Sequence, residues 1–379
     1  MQIDENIASA VNWLLHSGIR AESGAFNAWF DLDEKSYPFA YSEITGYAMT
    51  AFVFFNGFEQ QKGLIERAEK AAKWLQHDAI TKEGAVRTRQ YYDANQADES
   101  FSFESGNVFA FDCGMILNGF VNLFNETKKK EYLKSAEKIA GFLDEKMFGD
   151  EMHAVYNLKS KRFLDNAAKW GWQPGSYHAK AAIGLLDAAA ATGNDDLTGK
   201  AMQLCENAIE LQHKSGRFIT NKSDNSTHLH PHCYSAEGLL YAGIKLKEEK
   251  FVGAAEKATE WALLNQASDG GVNAFFDGKW NRSQRSDVLA QVLRLAAALK
   301  NIGRLQGIAD EKIGALRKSL LSFQNMKAGE QQGGFFYGQE LDGGNKNCLN
   351  SWCTMFAAQA LQWHDWLQKK EQFEIRLIV

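Results

Sequence analysis

Thr227-His-Leu-His-Pro-His-Cys-Tyr-Ser-Ala-Glu-Gly-Leu-Leu-Tyr-Ala-Gly243 carries a polar, histidine-rich loop into an apolar helix, and the amphipathic stretch Phe251 to Leu264 follows closely. Apolar residues crowd Cys233 to Leu246 on every side, the pattern of a helix buried all round. The second segment confines them to one stripe, as a helix covering a core does. This couplet recurs along the chain. Ile44 to Phe55 precedes the stripe Leu64, Ile65, Ala68, Ala71, Ala72 and Leu75; Asp112 to Phe124 precedes Tyr132 to Met147; His178 to Ala191 precedes Leu197 to Leu211; Val288 to Leu299 precedes Ile313 to Phe323. A last apolar segment, Ser351 to Leu367, has no partner after it, and an isolated first helix, Glu5 to His16, is free to supply one. Pairing these two closes a ring. The pattern predicts an all-α (α/α)6 barrel, or toroid, of six inner and six outer helices, with residues 1–379 forming one domain.

The connections support the same architecture. Links inside each couplet are short, whereas links between couplets run roughly 15 to 30 residues, well above the usual loop length. Long loops therefore gather at one mouth. Gly270-Gly-Val-Asn-Ala-Phe-Phe276 and Gly333-Gly-Phe-Phe-Tyr337 read as short β hairpins there. Pro38, Pro174 and Pro231 stand just ahead of inner helices, where proline sharpens an entry without breaking helical bonds.

Composition narrows the function classes. A hydrophobic content of 45% with 23% charged residues excludes a disordered chain. A net charge of -5, without a basic stripe interleaved with aromatics, argues against nucleic acid as a partner. No apolar run is long enough to span a bilayer, and Met1-Gln-Ile-Asp-Glu-Asn6 lacks a basic leader, so the reading is a cytoplasmic protein without membrane insertion. Five cysteines without Cys-x-x-Cys spacing read as reduced thiols.

The alternation of inner and outer helices with Gly-Gly-aromatic loops resembles the (α/α) toroid assemblage of six-hairpin glycosidases, N-acylglucosamine 2-epimerases, polysaccharide lyases and terpenoid cyclases. Tyr41-Ser-Glu-Ile-Thr-Gly-Tyr47 and His230-Pro-His-Cys-Tyr234 are similar to segments of toroid proteins associated with bacterial polysaccharide biosynthesis. The Asp-x-Asp-Asp acid of squalene-type cyclases is missing. The resemblance therefore implies a carbohydrate ligand, an oligosaccharide or polysaccharide, with a polysaccharide-synthesis assembly as a further partner.

Residues at the starts of inner helices face the central cavity in such a ring. Glu43, Asp112, His178, His232, Glu237, Asp287 and Trp352 stand there. Helix-dipole and capping effects alone favour carboxylates at helix starts, so each of them has a purely structural explanation as well. Two facing carboxyls suit glycoside hydrolysis, and Glu43 with Asp112, on neighbouring inner helices, form the chosen acid–base pair. Histidine or tyrosinate chemistry would instead remove a proton beside a uronate carboxylate, giving elimination or epimerisation. His178, His232 and Tyr234 are the catalytic candidates for it, with His230 and Tyr177 nearby.

Seven of the twelve arginines, Arg20, Arg87, Arg89, Arg162, Arg217, Arg282 and Arg285, fall in the long connections, a basic rim suited to an acidic sugar. The expected binding set is Tyr41, Tyr47, Arg87, Trp172, His230, Arg282, Arg285, Asp287 and Trp352, with Trp352 stacking on a sugar ring. Neither a cofactor nor a metal is expected. Cys113, Cys233 and Cys353 mark alternate inner helices, too far apart to share one ion. The sequence thus points to an enzyme acting on a uronate-containing glycan by general acid–base chemistry as a lyase, epimerase or hydrolase. The alternative is a non-catalytic glycan-binding or scaffolding subunit of a polysaccharide-biosynthesis assembly.

Overall fold

The computed structural model describes residues 4–58, 63–167 and 169–379, so Met1 to Ile3, the start of the stretch read as lacking a basic leader, lies outside the described residues. Among the described residues, twelve α-helices form two concentric rings. The inner ring is α2 (Ser42–Phe55), α4 (Ala110–Thr127), α6 (Ala181–Thr192), α8 (Leu229–Leu246), α10 (Ser286–Asn301) and α12 (Ser351–Gln368). The outer ring is α1 (Glu5–His16), α3 (Leu64–Trp74), α5 (Lys130–Phe142), α7 (Asp195–Glu210), α9 (Glu249–Leu264) and α11 (Asp310–Leu321). Each inner helix packs on the next, and α12 returns to α2 while α1 covers α12, which closes the ring as expected.

Burial explains the division. Every residue of α2 but Phe54 is buried, whereas α3 buries only Leu64, Ala68, Ala71, Ala72 and Trp74. Small residues let the inner helices approach. A Cβ on Gly238 of α8 would lie 2.0 Å from the Ala179 carbonyl oxygen, so only glycine fits that crossing.

The mouth is built from short antiparallel strands that run straight into inner helices. Phe39–Tyr41 pairs with Arg89–Tyr91 and leads into α2. Asn107–Phe109 pairs with Val155–Asn157 and leads into α4, and Thr227–His228 pairs with Phe275–Phe276 and leads into α8. Trp29–Asp31, Asn345–Asn350 and Phe335–Gln339 form a three-stranded sheet before α12. An extended residue therefore precedes each of these helices, and the strand register decides which first-turn side chains point inward.

Helix starts differ most from the sequence reading at two inner helices: the third begins at Ala181, after a 3-10 turn that holds His178, rather than at His178 itself. The fourth inner helix begins at Leu229 rather than Cys233, so His230 and His232 are helical and only His228 is extended. Pro231 lies within the first turn, where an absent N–H costs nothing because that turn has no intrahelical acceptor.

At the far end, residues 371–379 cross the barrel axis as an irregular segment. Ile375, Ile378 and Val379 are buried, Gln359 Nε2 donates to the Leu377 carbonyl at 2.7 Å, and Val379 N donates to Gln359 Oε1 at 3.1 Å. Among the described residues no helix is long and apolar enough to cross a membrane. All five cysteines are buried and unpaired.

Candidate active site

The long-loop mouth opens into a cavity of about 490 Å³, within the range of small-ligand pockets. One wall carries Glu43 and Asp112, the second residue of α2 and the third of α4. The strand pairing sets Arg89 opposite Tyr41, two residues before Glu43, and this brings the guanidinium to the carboxyl pair. Arg89 is itself held among aromatic faces, 4.1 Å from the Phe101 ring centroid, 4.8 Å from Phe39 and 5.0 Å from Tyr41.

Both carboxyls are buried, Glu43 at 8% and Asp112 at 4% exposure. Burial drives the Asp112 carboxyl well above the ordinary carboxylate range, and repulsion from Glu43 adds to it. Burial also raises Glu43, but the hydroxyls of Tyr41 and Tyr47 and the charges of Arg89 and Lys180 oppose that rise. The two groups titrate as a pair in which Asp112 keeps the proton longer and Glu43 ionises first. Asp112 Oδ2 is buried without a hydrogen-bond partner among the described residues.

The opposite wall is organised by Asp287, which is fully buried beneath it. It accepts from Arg285 Nε at 3.1 Å, from Arg285 Nη2, and from Trp352 Nε1 at 3.1 Å, and it lies 3.3 Å from His230 Nδ1. Burial disfavours its charge, but Arg285 and His230 outweigh that and hold the carboxyl below its usual range. His230 Nδ1 also sits 2.8 Å from Gln291 Oε1. Burial lowers the His230 imidazole to about 4, against the pull of Asp287, so the ring is neutral at pH 7. With both acceptors on Nδ1, the proton belongs there and Nε2 carries a lone pair.

A third wall is aromatic. Phe101 and Phe109 stack with centroids 5.1 Å apart, and Trp172 stands edge-on to them at 5.9 and 5.2 Å. The floor is closed by Phe111, 4.6 Å from Tyr234, and by the Tyr47 hydroxyl donating to the Tyr234 hydroxyl at 3.0 Å. Below that floor Glu237 accepts from Lys180 Nζ at 2.6 Å and from Arg294 Nε at 3.0 Å, all three side chains being buried. Burial works against the Glu237 charge, but the two cations outweigh it and hold the carboxyl below its ordinary value.

Of the residues expected from sequence, Tyr41, Glu43, Asp112, Trp172, His230, Tyr234, Arg285 and Trp352 line this cavity. Tyr47 and Asp287 stand directly behind the lining. Four others are placed elsewhere. His178 lies in the 3-10 turn Ser176–Lys180, where three residues make a turn; Tyr177 faces the cavity, Lys180 faces the axis, and His178 is rotated outward toward Leu204 and Leu211 of the outer layer. His232 is two residues beyond His230 on α8 and so faces the outer ring. Its Nδ1 accepts from Phe218 N at 3.1 Å and its Nε2 donates to the Ala258 carbonyl at 3.1 Å, which leaves no nitrogen for chemistry. Arg87 packs over Phe103 at 5.9 Å on the outside of the rim, and Arg282 is exposed outside the cavity.

The binding set expected from sequence omitted Arg89, Phe101, Phe109, Lys180 and Arg294. Arg89 had one readable signal, a long-loop position beside Arg87, but only strand register tells the two apart. Among the described residues no group of three or more histidine, cysteine or carboxylate side chains is placed to hold a metal ion.

Comparison with known proteins places this architecture. No protein-family model and no curated protein sequence matches the chain. Solved structures do. A sugar epimerase from a ruminal bacterium superposes with a TM-score of 0.76 over 94% of this chain and 98% of its own, at 11% identity. The chain has the toroid fold of these enzymes. An unsaturated glucuronyl hydrolase from a Bacillus species gives 0.71 over 94% and 95% at 13% identity, and a polysaccharide lyase gives 0.63 over 88% and 92% at 11% identity.

Proposed function

We propose that the protein is a carbohydrate-active enzyme that cleaves a glycosidic bond at the end of an acidic, uronate-containing glycan. The observation that carries this reading is the pair of buried carboxyls, Glu43 and Asp112, on one cavity wall at the starts of neighbouring inner helices, where burial and mutual repulsion raise Asp112 further than Glu43. In that assignment Asp112 donates its proton to the leaving oxygen, and Glu43, as carboxylate, acts as base on water or as nucleophile. The blind floor under Tyr234 and Phe111 suits a chain end rather than a chain passing through. Trp172, Trp352 and the Phe101–Phe109 stack offer faces to sugar rings.

Arg285 supports the acidic substrate. Asp287 engages its Nε and Nη2, which fixes the guanidinium and leaves Nη1 for a ligand carboxylate. Lys169 adds a second cation at the rim of the same cavity. Unpaired, buried cysteines fit a reducing compartment, and we read the protein as a cytoplasmic enzyme acting through one domain. Nothing in the site points to a polysaccharide-synthesis assembly.

A second reading rests on His230. Its neutral ring, steered by Gln291 and Asp287, could remove a proton beside a carbonyl or carboxylate, which is the first step of epimerisation or elimination. Glu43→Gln and Asp112→Asn separate the readings. If both abolish release of reducing ends while a uronate-ended oligosaccharide still raises Tm, the hydrolase assignment stands. If His230→Ala alone abolishes turnover, with solvent deuterium incorporated by the wild type, the second reading replaces it. Stabilisation by glycan without any product in wild type would leave a binding module.

A further inference from the structure

We propose that the far end of the barrel holds a binding site for a small organic amine, its ammonium donating to Asp187 and Asn122 and its hydrocarbon part lying against Phe54, Trp366 and Phe373. A second cavity, of about 650 Å³, opens there between α2, α4, α6, α8, α12 and the irregular segment that crosses the axis. It shares no lining residue with the cavity at the mouth.

The deep acceptors of this cavity lack donors. Asn122 is 3% exposed, and its Nδ2 donates to Thr50 Oγ1 and to Asn118 Oδ1, both at 3.1 Å. Asn118 Nδ2 in turn donates to the Ile378 carbonyl at 3.4 Å, so this chain of amides fixes the orientation of Asn122 and leaves its Oδ1 to the cavity. Among the described residues no hydrogen bond reaches that oxygen. Asp187, its side chain 11% exposed, accepts from the Tyr241 hydroxyl and from Lys245 Nζ at 3.4 Å, and both contacts fall on Oδ1. Its Oδ2 takes none among the described residues. Burial lifts the Asp187 carboxyl above its usual range in spite of Tyr241 and Lys245, so a closer cation is still wanting.

Two unpartnered acceptors require a ligand that donates, and the walls select a cation. Lys245 is engaged with Asp187, and Arg376 with Glu374 at 3.3 Å, whereas no ion pair reaches Glu126 or Glu371 among the described residues. The cavity thus keeps a surplus of negative charge. Its other wall is aromatic: Trp366 stacks on Phe58 at 6.1 Å and meets Phe54 at 5.8 Å and Phe373 at 5.5 Å. Phe54, Trp366 and Phe373 are half-buried, which leaves ring surface for hydrocarbon and for an ammonium.

The test is calorimetric titration of the full-length protein with phenethylamine and with 2-phenylethanol, its uncharged analogue, while the Trp366 indole N–H resonance, assigned with Trp366→Phe, is followed by NMR. The expected result is binding of the amine about tenfold or more tighter than the alcohol, with a shift of the Trp366 resonance and about tenfold weaker binding in Asp187→Asn. Lys245→Met, which removes the protein's own ammonium from Asp187, should bind the amine more tightly than wild type. No heat from the amine in wild type, or equal binding of the alcohol, would overturn the proposal. So would binding lost in Glu43→Gln but kept in Asp187→Asn, which would put the amine at the mouth. The comparison of amine with alcohol and the exposed Lys245→Met decide the matter should Asp187→Asn not fold.

Discussion

Glu237→Gln is the sharpest perturbation of the structure. The carboxylate is 1% exposed and is the counterion of two buried cations, Lys180 and Arg294. Removing one partner of a buried ion pair costs about 3 to 5 kcal/mol, because the remaining charge is stranded in the interior. Lys180 can escape by losing its proton: burial has already lowered it to about 8, with Glu237 opposing that drop, and without Glu237 it falls further. Arg294 has no such route; it keeps the Gln359 acceptor at 2.8 Å and only a neutral amide oxygen where the carboxylate stood. The cost therefore stays in the 3 to 5 kcal/mol range rather than doubling. For 379 residues, an unfolding entropy of about 0.8 kcal/mol/K converts it to a fall in Tm of roughly 4 to 6 °C.

The pH dependence carries a further signature. A lysine depressed in the fold binds fewer protons there than in the unfolded chain, so its contribution to stability rises with pH. In wild type that rise spans about pH 8 to the ordinary lysine value of 10.5. In Glu237→Gln it starts below pH 8, so the deficit narrows between pH 7 and 8. Calorimetry across that range is the assay. Lys180→Met, which leaves Glu237 with Arg294, should lose less than half as much. Equal losses in the two variants, or a Tm change under about 2 °C in Glu237→Gln, would refute the reasoning.

Asp112→Asn should stabilise the protein at pH 7 while abolishing turnover. A carboxyl raised in the fold makes stability fall as pH climbs above the ordinary carboxylate range, and the amide removes that slope, as melting curves from pH 4 to 8 would show. His178→Ala should leave kcat within about twofold, since the ring faces away from the cavity, whereas His232→Ala should cost about 1 to 3 kcal/mol in stability by orphaning the Phe218 N–H and the Ala258 carbonyl. Asp287→Asn should weaken binding of a uronate-ended glycan about tenfold or more, measured by calorimetric titration, by releasing Arg285 and Trp352 while a neutral glycan loses less.

The ring was legible because burial writes itself into sequence. The inner helices α2, α4 and α8 carry apolar residues on every face, and α1 could be matched to α12 by counting. The first-turn carboxyls Glu43 and Asp112 were legible for the same reason, as polar residues at the entrance of apolar helices. Side-chain direction within a turn was less so. His230 and His232 differ by two positions, which on a helix is the difference between the cavity and the outer ring, and the sequence pattern starts the helix only at Cys233, after both. Arg89 reaches the site through its register with Tyr41, and no local pattern separates it from the outward Arg87. Lys180 and Arg294 were hidden because each is a single polar residue in an apolar run, and their partners are 57 residues or more away in sequence.

The most direct test of the central claim is the product made by the wild-type protein from uronate-terminated oligosaccharides, followed together by reducing-end release, unsaturated-uronate absorbance and solvent deuterium incorporation. The account predicts new reducing ends with neither absorbance nor deuterium, and loss of that signal in Asp112→Asn. Unsaturated product, or deuterium in an unbroken sugar, would contradict the assignment of Asp112 and Glu43 and move the chemistry to His230.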